Sequence, residues 1–353
     1  MAFQFSSASY SVSESAATAT IEVQRLGDMS GTVSVNFATI LGTATVGVDF
    51  VGTSGTLAFG PGETTRAFGV GIISDTIPEP HETVNLALSN PQNPSGGATL
   101  GTPSAAVLRI LNDDVAFRFS SATYSVSESG GQATITVRRM GALPPGVSVS
   151  VEYATVGGGT ATAGTDYVAT TGRLTFSPGQ TTQSFDVTIL DDLGPESHET
   201  VNMLLRDPVN PVGHAALATP DTAVLTILND DVVFHFSQGA YVVREGDGIA
   251  TIEVTRIGDT ANDVSVDYAT SDDTATAGSD YVPTSGTLTF TASDTTKSFE
   301  VTILNDGDRE GNETAALALS NPSNPGGNAR LGGPSTAMLM IIDDDPAVLG
   351  GGL

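Results

Sequence analysis

Ile110-Leu111-Asn112-Asp113-Asp114 is an apolar strand pattern running straight into adjacent acids. It returns as Ile227-Leu228-Asn229-Asp230-Asp231 and as Ile341-Ile342-Asp343-Asp344-Asp345. Adjacent carboxylates at a strand end repel one another, and no lysine or arginine stands beside these acids to neutralise them. A hard divalent cation is the partner such a group calls for. Three similar ends also point to an internal repeat, which is the feature to establish before any other.

Other motifs carry the same repeat. Phe3-Gln4-Phe5-Ser6 returns as Phe117-Arg118-Phe119-Ser120 and Phe234-His235-Phe236-Ser237. Tyr10, Tyr124 and Tyr241 follow at one offset, then Glu14, Glu128 and Glu245. The second copy is three residues longer between Glu128 and Asp166, where Leu143-Pro144-Pro145-Gly146 and Gly157-Gly158-Gly159 form turns that tolerate insertion. Within the first copy the apolar residues alternate, as in Ile21 and Val23, or Val33, Val35 and Phe37. That period of two predicts half-buried strands. Turn clusters divide them into strands near 3–13, 17–25, 33–39, 55–59, 65–73, 82–89 and 104–111. Seven short strands in each repeat predict an all-β chain of three tandem immunoglobulin-like, seven-stranded antiparallel β-sandwiches. The expected domains are 1–115, 116–232 and 233–346, with a Gly-rich tail at 347–353.

Composition narrows the function. There are 40 acids against 13 bases in 353 residues, a formal charge of −27. Such a balance repels nucleic acid and anionic lipid and favours cations or basic partners. With 39% hydrophobic residues the chain can still build cores. It has no cysteine, which excludes thiolate metal sites and disulfides. No apolar run is long enough to span a membrane. The first residues enter a strand pattern without a basic or apolar leader, so the expectation is a segment of a longer protein or export without a standard signal.

Strand parity then places the acids. If each strand reverses the one before, the turns after strands one, three and five share an end with the exit of strand seven. In the first copy these segments carry Glu14, Asp49, Asp75, Glu79, Glu82, Asp113 and Asp114. In the second they carry Glu128, Asp166, Asp191, Asp192, Glu196, Glu199, Asp230 and Asp231, and in the third Glu245, Asp280, Asp306, Glu310, Glu313, Asp343, Asp344 and Asp345. Those 23 residues are more than half of the 40 acids, a segregation that solubility alone does not explain. Oxygen donors in flexible loops suit Ca2+, whereas zinc or copper would call for imidazole or thiolate. Seven or eight negative charges predict two or more Ca2+ ions per repeat.

The ordered motifs resemble the Calx-beta family. They are Tyr-Ser-Val-Ser-Glu at 10–14 and 124–128, Ala-Thr-Ala-Gly-Ser-Asp-Tyr at 275–281 and Gly-Thr-Leu-Thr-Phe at 286–290. Ile-Leu-Asp-Asp with two later glutamates at 189–199, Asn-Pro with Gly-Gly and Leu-Gly at 321–332, and the terminal acids at 341–345 complete the set. The resemblance implies calcium ligands among the early Glu, the Asp before the aromatic residue, the acids of the fifth turn and the terminal acids. Asn112 and Asn229 depart from the acid kept as Asp343, and Ser74 stands where the second copy has Asp191.

Other chemistry is poorly supported. His81 and His198 share a repeat position but have carboxylate neighbours enough, and His214 and His235 read as surface residues. No Gly-x-Ser-x-Gly elbow occurs, and three equivalent acidic clusters without tryptophan do not make a sugar cleft, so no enzyme is expected. Only two residues separate Asp114 from Phe117, a span of about 7 Å, so consecutive domains cannot swing freely. The leading expectation is a calcium-stiffened structural or adhesion segment of a secreted or cell-surface protein, with no named protein partner. A calcium-sensing regulatory module, or an interaction module with incidental calcium, are the alternatives. Having lost the most charge, the first copy is expected to rank last in calorimetric calcium titrations of the separate copies; a first copy that binds tightest overturns the ranking.

Overall fold

The computed structural model describes residues 1–258 and 261–345; the tail expected at 347–353 lies outside them. The first repeat is built from β1 (Ala2–Phe5), β2 (Ser9–Ser13), β3 (Thr18–Leu26), β4 (Val33–Leu41), β5 (Ser54–Phe59), β6 (Thr65–Gly71), β7 (Glu82–Gln92), β8 (Thr99–Leu100) and β9 (Ala105–Leu111). They form two sheets, ordered β6-β3-β1-β8 and β2-β9-β7-β4-β5. The alternation read from sequence decides which residues face inward. Ala19, Ile21 and Val23 are buried while Thr18, Thr20 and Glu22 are exposed. Phe3, Phe5, Ile21, Phe59, Leu108 and their neighbours make one core between the sheets.

The pattern repeats in β10 (Val115–Phe119), β11 (Thr123–Ser127), β12 (Gln132–Met140), β13 (Val149–Val156), β14 (Thr171–Phe176), β15 (Thr182–Thr188), β16 (Glu199–Val209), β17 (Ala215–Leu217) and β18 (Thr222–Leu228). It repeats again from β19 (Val232–Phe236) to β27 (Thr336–Ile342), so three two-sheet sandwiches with separate cores follow one another. Val115 and Val232, assigned to the preceding repeats at the expected boundaries, open β10 and β19 and are buried in the cores that follow.

The strand expected over 3–13 is divided. Its first part, β1, pairs antiparallel with β3, and its second part, β2, pairs parallel with β9 in the opposite sheet. The crossing at Ser6–Ala8 is held by Tyr10, whose hydroxyl donates to the Glu22 carbonyl at 2.9 Å and accepts from the Ser7 N–H at 3.3 Å. This switch brings the ends of β2 and β9 together. The added β8 pairs parallel with β1. A short 3-10 turn follows β11 at Glu128–Gly130, and another lies at Glu245–Asp247.

The glycine of the Gly-Thr-Leu-Thr-Phe motif also has a steric cause. A Cβ on Gly286 would sit 2.8 Å from the Tyr268 hydroxyl, because that ring stacks on Phe299 with centroids 3.9 Å apart and lies across the glycine. Phe117 is fully buried and packs on Phe176 at 5.4 Å. Phe117→Ala is expected to destabilise the second sandwich by about 3–5 kcal/mol, read as an earlier urea transition for that domain; an unchanged midpoint overturns the assignment.

Candidate metal centres

The switch of the first strand puts Glu14 at the end of β2 beside the end of β9, where its N–H donates to the Leu111 carbonyl at 3.0 Å. The segment after β6 folds over this corner. Asp75 donates its N–H to Glu14 Oε1 at 3.3 Å, and Glu79 donates its N–H to Asn112 Oδ1 at 3.2 Å. Asp49 arrives from the turn after β4, which is anchored by buried Phe50 and fixed by a 2.6 Å bond from the Thr45 N–H to Asp49 Oδ2. Asp166 and Asp280 sit before buried Tyr167 and Tyr281 in the same turn, with Thr162 and Thr276 as the donors.

Two carboxylate groups result in the first repeat. Glu14, Asp75 and Asp114 each bring an oxygen within 4.8 Å of the others, and so do Asp49, Glu79 and Glu82. The third repeat also has two, Asp280 with Glu310 and Glu313 as in the first, and Glu245 with Asp343 and Asp345, where Asp343, at the position of Asn112, takes the place that Asp75 has in the first repeat. In the second, Asp166, Glu196 and Glu199 meet at that spacing, whereas Glu128, Asp191, Asp192, Asp230 and Asp231 form no such trio among the described residues. Asp113, Asp306 and Asp344 also stand outside the trios. Asp113 and Asp230 face inward to serines: Ser15 Oγ donates to Asp113 Oδ2 at 2.7 Å and Ser129 Oγ to Asp230 Oδ2 at 2.6 Å, with Ser13 and Ser127 on the same oxygens. Asp306 donates its N–H to Glu245 Oε1 at 3.0 Å, and Asp344 lies against Gly246.

These serines were missed in the sequence, although Ser13-Glu14-Ser15 and Ser127-Glu128-Ser129 carried the signal. The third repeat has Arg244 and Gly246 instead, and so lacks both hydroxyls.

The acidic end of one repeat is also its seam with the next. Asn112 Nδ2 donates to the Ala142 carbonyl at 2.9 Å, and Ala142 returns its N–H to the Glu79 carbonyl at 2.7 Å. Asn210 Nδ2 donates to the Asp113 carbonyl at 2.6 Å, and Asn324 Nδ2 does the same to Asp230. The loop before β17, with its counterpart in the third repeat, is therefore not a free tip. The His214 N–H donates to Asp114 Oδ1, so the backbone of this histidine joins the seam while its side chain stays exposed. Asn112 spends its amide on the seam, which explains why an Asn stands where the third repeat keeps Asp343.

The donor chemistry fits a calcium-type ion. Every convergent ligand atom in the trios is a carboxylate oxygen. Asp114 Oδ2, Asp230 Oδ1 and Asp345 Oδ2 are buried without a hydrogen-bond partner. Buried unpaired carboxylate oxygens are costly unless a cation or proton meets them.

Fold and site together define a tandem β-sandwich repeat protein with an acid-lined end on each domain. The chain belongs to the Calx-beta family: the Calx-beta domain model matches residues 1–114, 111–231 and 228–345. It is 33% identical over 360 residues to the extracellular matrix organizing protein FRAS1 of Mus musculus, covering 96% of this chain and 9% of that protein. It is 33% identical over 221 residues to sodium/calcium exchanger 1 of Canis lupus familiaris, covering 58% of this chain and 23% of that protein. Among solved structures, CBD12 from CALX1.2 is 28% identical, covers 64% of this chain and 100% of its own, and superposes with a TM-score of 0.34. The chain thus spans a small part of the curated relatives it matches.

Without metal, the crowding shows in the proton affinities. Burial, reinforced by Asp114, Asp75 and Asp113, pushes Glu14 up to about 7 against the pull of the Asp75 N–H. Burial and the charges of Asp192 and Asp231 push Glu128 up to about 7. Glu82, Glu199 and Glu313 rise to about 7 through burial and a hydrogen bond shared with Asp49, Asp166 and Asp280. A carboxyl raised on folding contributes stability that is fully present below its unfolded value near 4.5 and lost as pH climbs through about 7. The chelator-treated chain is therefore expected to melt higher at pH 5 than at pH 8; equal or reversed melting temperatures contradict the crowding.

Proposed function

We propose that the chain is a calcium-binding array in which metal at the acidic end of each repeat stiffens the seam to the next. It serves as a structural or adhesion segment of a secreted or cell-surface protein and catalyses no reaction. The observation that carries this reading is the double use of Asp113-Asp114 and Asp230-Asp231. Their side chains belong to the acidic end, while the Asp113 and Asp230 carbonyls are gripped by Asn210 and Asn324 of the following repeat. An ion that fixes those aspartates fixes the surface on which the next sandwich rests.

Glu14, Asp75 and Asp114 would hold one ion of the first repeat, and Asp49, Glu79 and Glu82 another. In the second repeat Asp166, Glu196 and Glu199 hold one ion, and Glu128, Asp191, Asp192, Asp230 and Asp231 close around a second. In the third, Glu245, Asp306, Asp343, Asp344 and Asp345 serve one ion and Asp280, Glu310 and Glu313 the other. Asp113 is a ligand once its serines release an oxygen.

The likeness to matrix proteins supports an extracellular strut, and the likeness to an exchanger supports the second reading, a regulatory calcium sensor. Affinity separates them: sub-micromolar binding fits a sensor and sub-millimolar binding a strut. Calcium is expected to raise the melting temperature by mass action and to narrow the shape distribution in small-angle scattering. Asp49→Ala should weaken calorimetric binding to the first repeat by roughly tenfold or more, since charge count tunes affinity. A chain whose melting and scattering ignore chelator sinks the proposal.

A further inference from the structure

One feature of the second sandwich has no counterpart in the others. Arg118 of β10 stands directly opposite Arg138 of β12 in the antiparallel ladder. Phe117 and Phe119 are buried on either side of Arg118, and Val137 and Arg139 on either side of Arg138. Both arginines of the pair therefore point away from the core, onto the outer face of the four-stranded sheet. Directly opposed side chains in a ladder have Cβ atoms about 4.5–5.5 Å apart, and like charges there are destabilising. At the same register the first repeat has Gln4 and Gln24, joined by a 3.4 Å amide hydrogen bond, and the third has His235 and Thr255. A chain with only 13 bases has put two of them in the least favourable arrangement.

Neither arginine is neutralised within the chain. Neither side chain takes part in a hydrogen bond or ion pair among the described residues, and Arg118 Nε is enclosed without a partner. Elsewhere on the same sandwich Arg173 and Arg206 both reach Glu152, so paired arginines there have their acid. The nearest acid along the outer face of β15 is Asp186, four residues beyond the Thr182 that faces Arg138, and it is held by Thr134. Four strand residues cover about 13 Å. Asp114 lies the same four residues before Arg118. Neither acid forms an ion pair with the two arginines, so among the described residues no carboxylate neutralises them.

We propose that Arg118 and Arg138 form an oxyanion site that takes a sulfate or phosphate group. Two guanidinium forks present planar sets of donors suited to oxyanions. A dianion balances both charges, whereas a single carboxylate leaves one uncovered. The Thr182 hydroxyl, next in the same cross-strand row, can supply a neutral donor beside them.

The test uses the full chain in calcium-containing buffer. Sodium sulfate is titrated at constant ionic strength while the Nε–H resonances of Arg118 and Arg138 are followed by NMR. Saturable shifts of both are expected. Arg118→Gln and Arg138→Thr borrow residues that the sister repeats already use at this register, so folding should persist, and each should weaken sulfate at least tenfold. If one variant fails to fold, the other carries the comparison. A linear, unsaturated response, unchanged affinity in the folded variants, or acetate binding as tightly as sulfate overturns the site. A sulfated oligosaccharide that binds tighter than inorganic sulfate assigns it to a polymer-borne group; equal binding assigns it to the free ion.

Discussion

Mutual repulsion of carboxylates drawn from four separate segments is the constraint around which each sandwich is arranged. The first strand must change sheets so that Glu14 meets the end of β9. The turn before Phe50 must be pinned by that buried ring so that Asp49 faces the same corner. The long segment after β6 must be tied by its N–H groups to Glu14 and Asn112. Three of these ties, from Thr45 to Asp49, from Asp75 to Glu14 and from Glu79 to Asn112, are main-chain N–H groups donating to polar side chains of the corner itself. The corner is thus assembled by the backbone and left with excess negative charge, which protons meet only in part.

The fold was legible because its causes are local. Alternation in strands such as β3 needs no knowledge of the partner strand, and repetition supplies three copies of each signal. The division of the first strand was less visible. The alternation changes phase across the break, from Phe3 and Phe5 to Tyr10 and Val12, but within so short a stretch the shift is easily read as one run, and the Tyr10 hydroxyl, bonding twelve residues away to Glu22, shows where the chain crosses. Parity of strand direction was enough to collect the acids at one end, because that argument depends on counting reversals and not on contacts.

The details of the corner were not legible for the opposite reason. Whether Asp113 faces a neighbouring acid or Ser13 and Ser15 depends on how a strand end is rotated, and spacing does not encode rotation. Asn112 looked like a weakened ligand, yet its amide spans to Ala142 in the next sandwich. Nor does spacing show what the loop before β17 meets, since its partner is the end of another domain, a contact between residues about a hundred positions apart.

The seam is built largely from main-chain atoms, and this bears on how such arrays grow. A Cβ on Gly213 would lie 2.0 Å from the Asp113 carbonyl oxygen, and one on Gly327 2.1 Å from that of Asp230. Every repeat carries the same key, an Asn-Pro step followed by a glycine three residues after the asparagine, at Asn93, Asn210 and Asn324. A lock made of a peptide carbonyl does not depend on which side chains surround it. Sandwiches can therefore diverge on their faces, as the arginine pair of the second one has, and still be exchanged or duplicated without redesigning the joint.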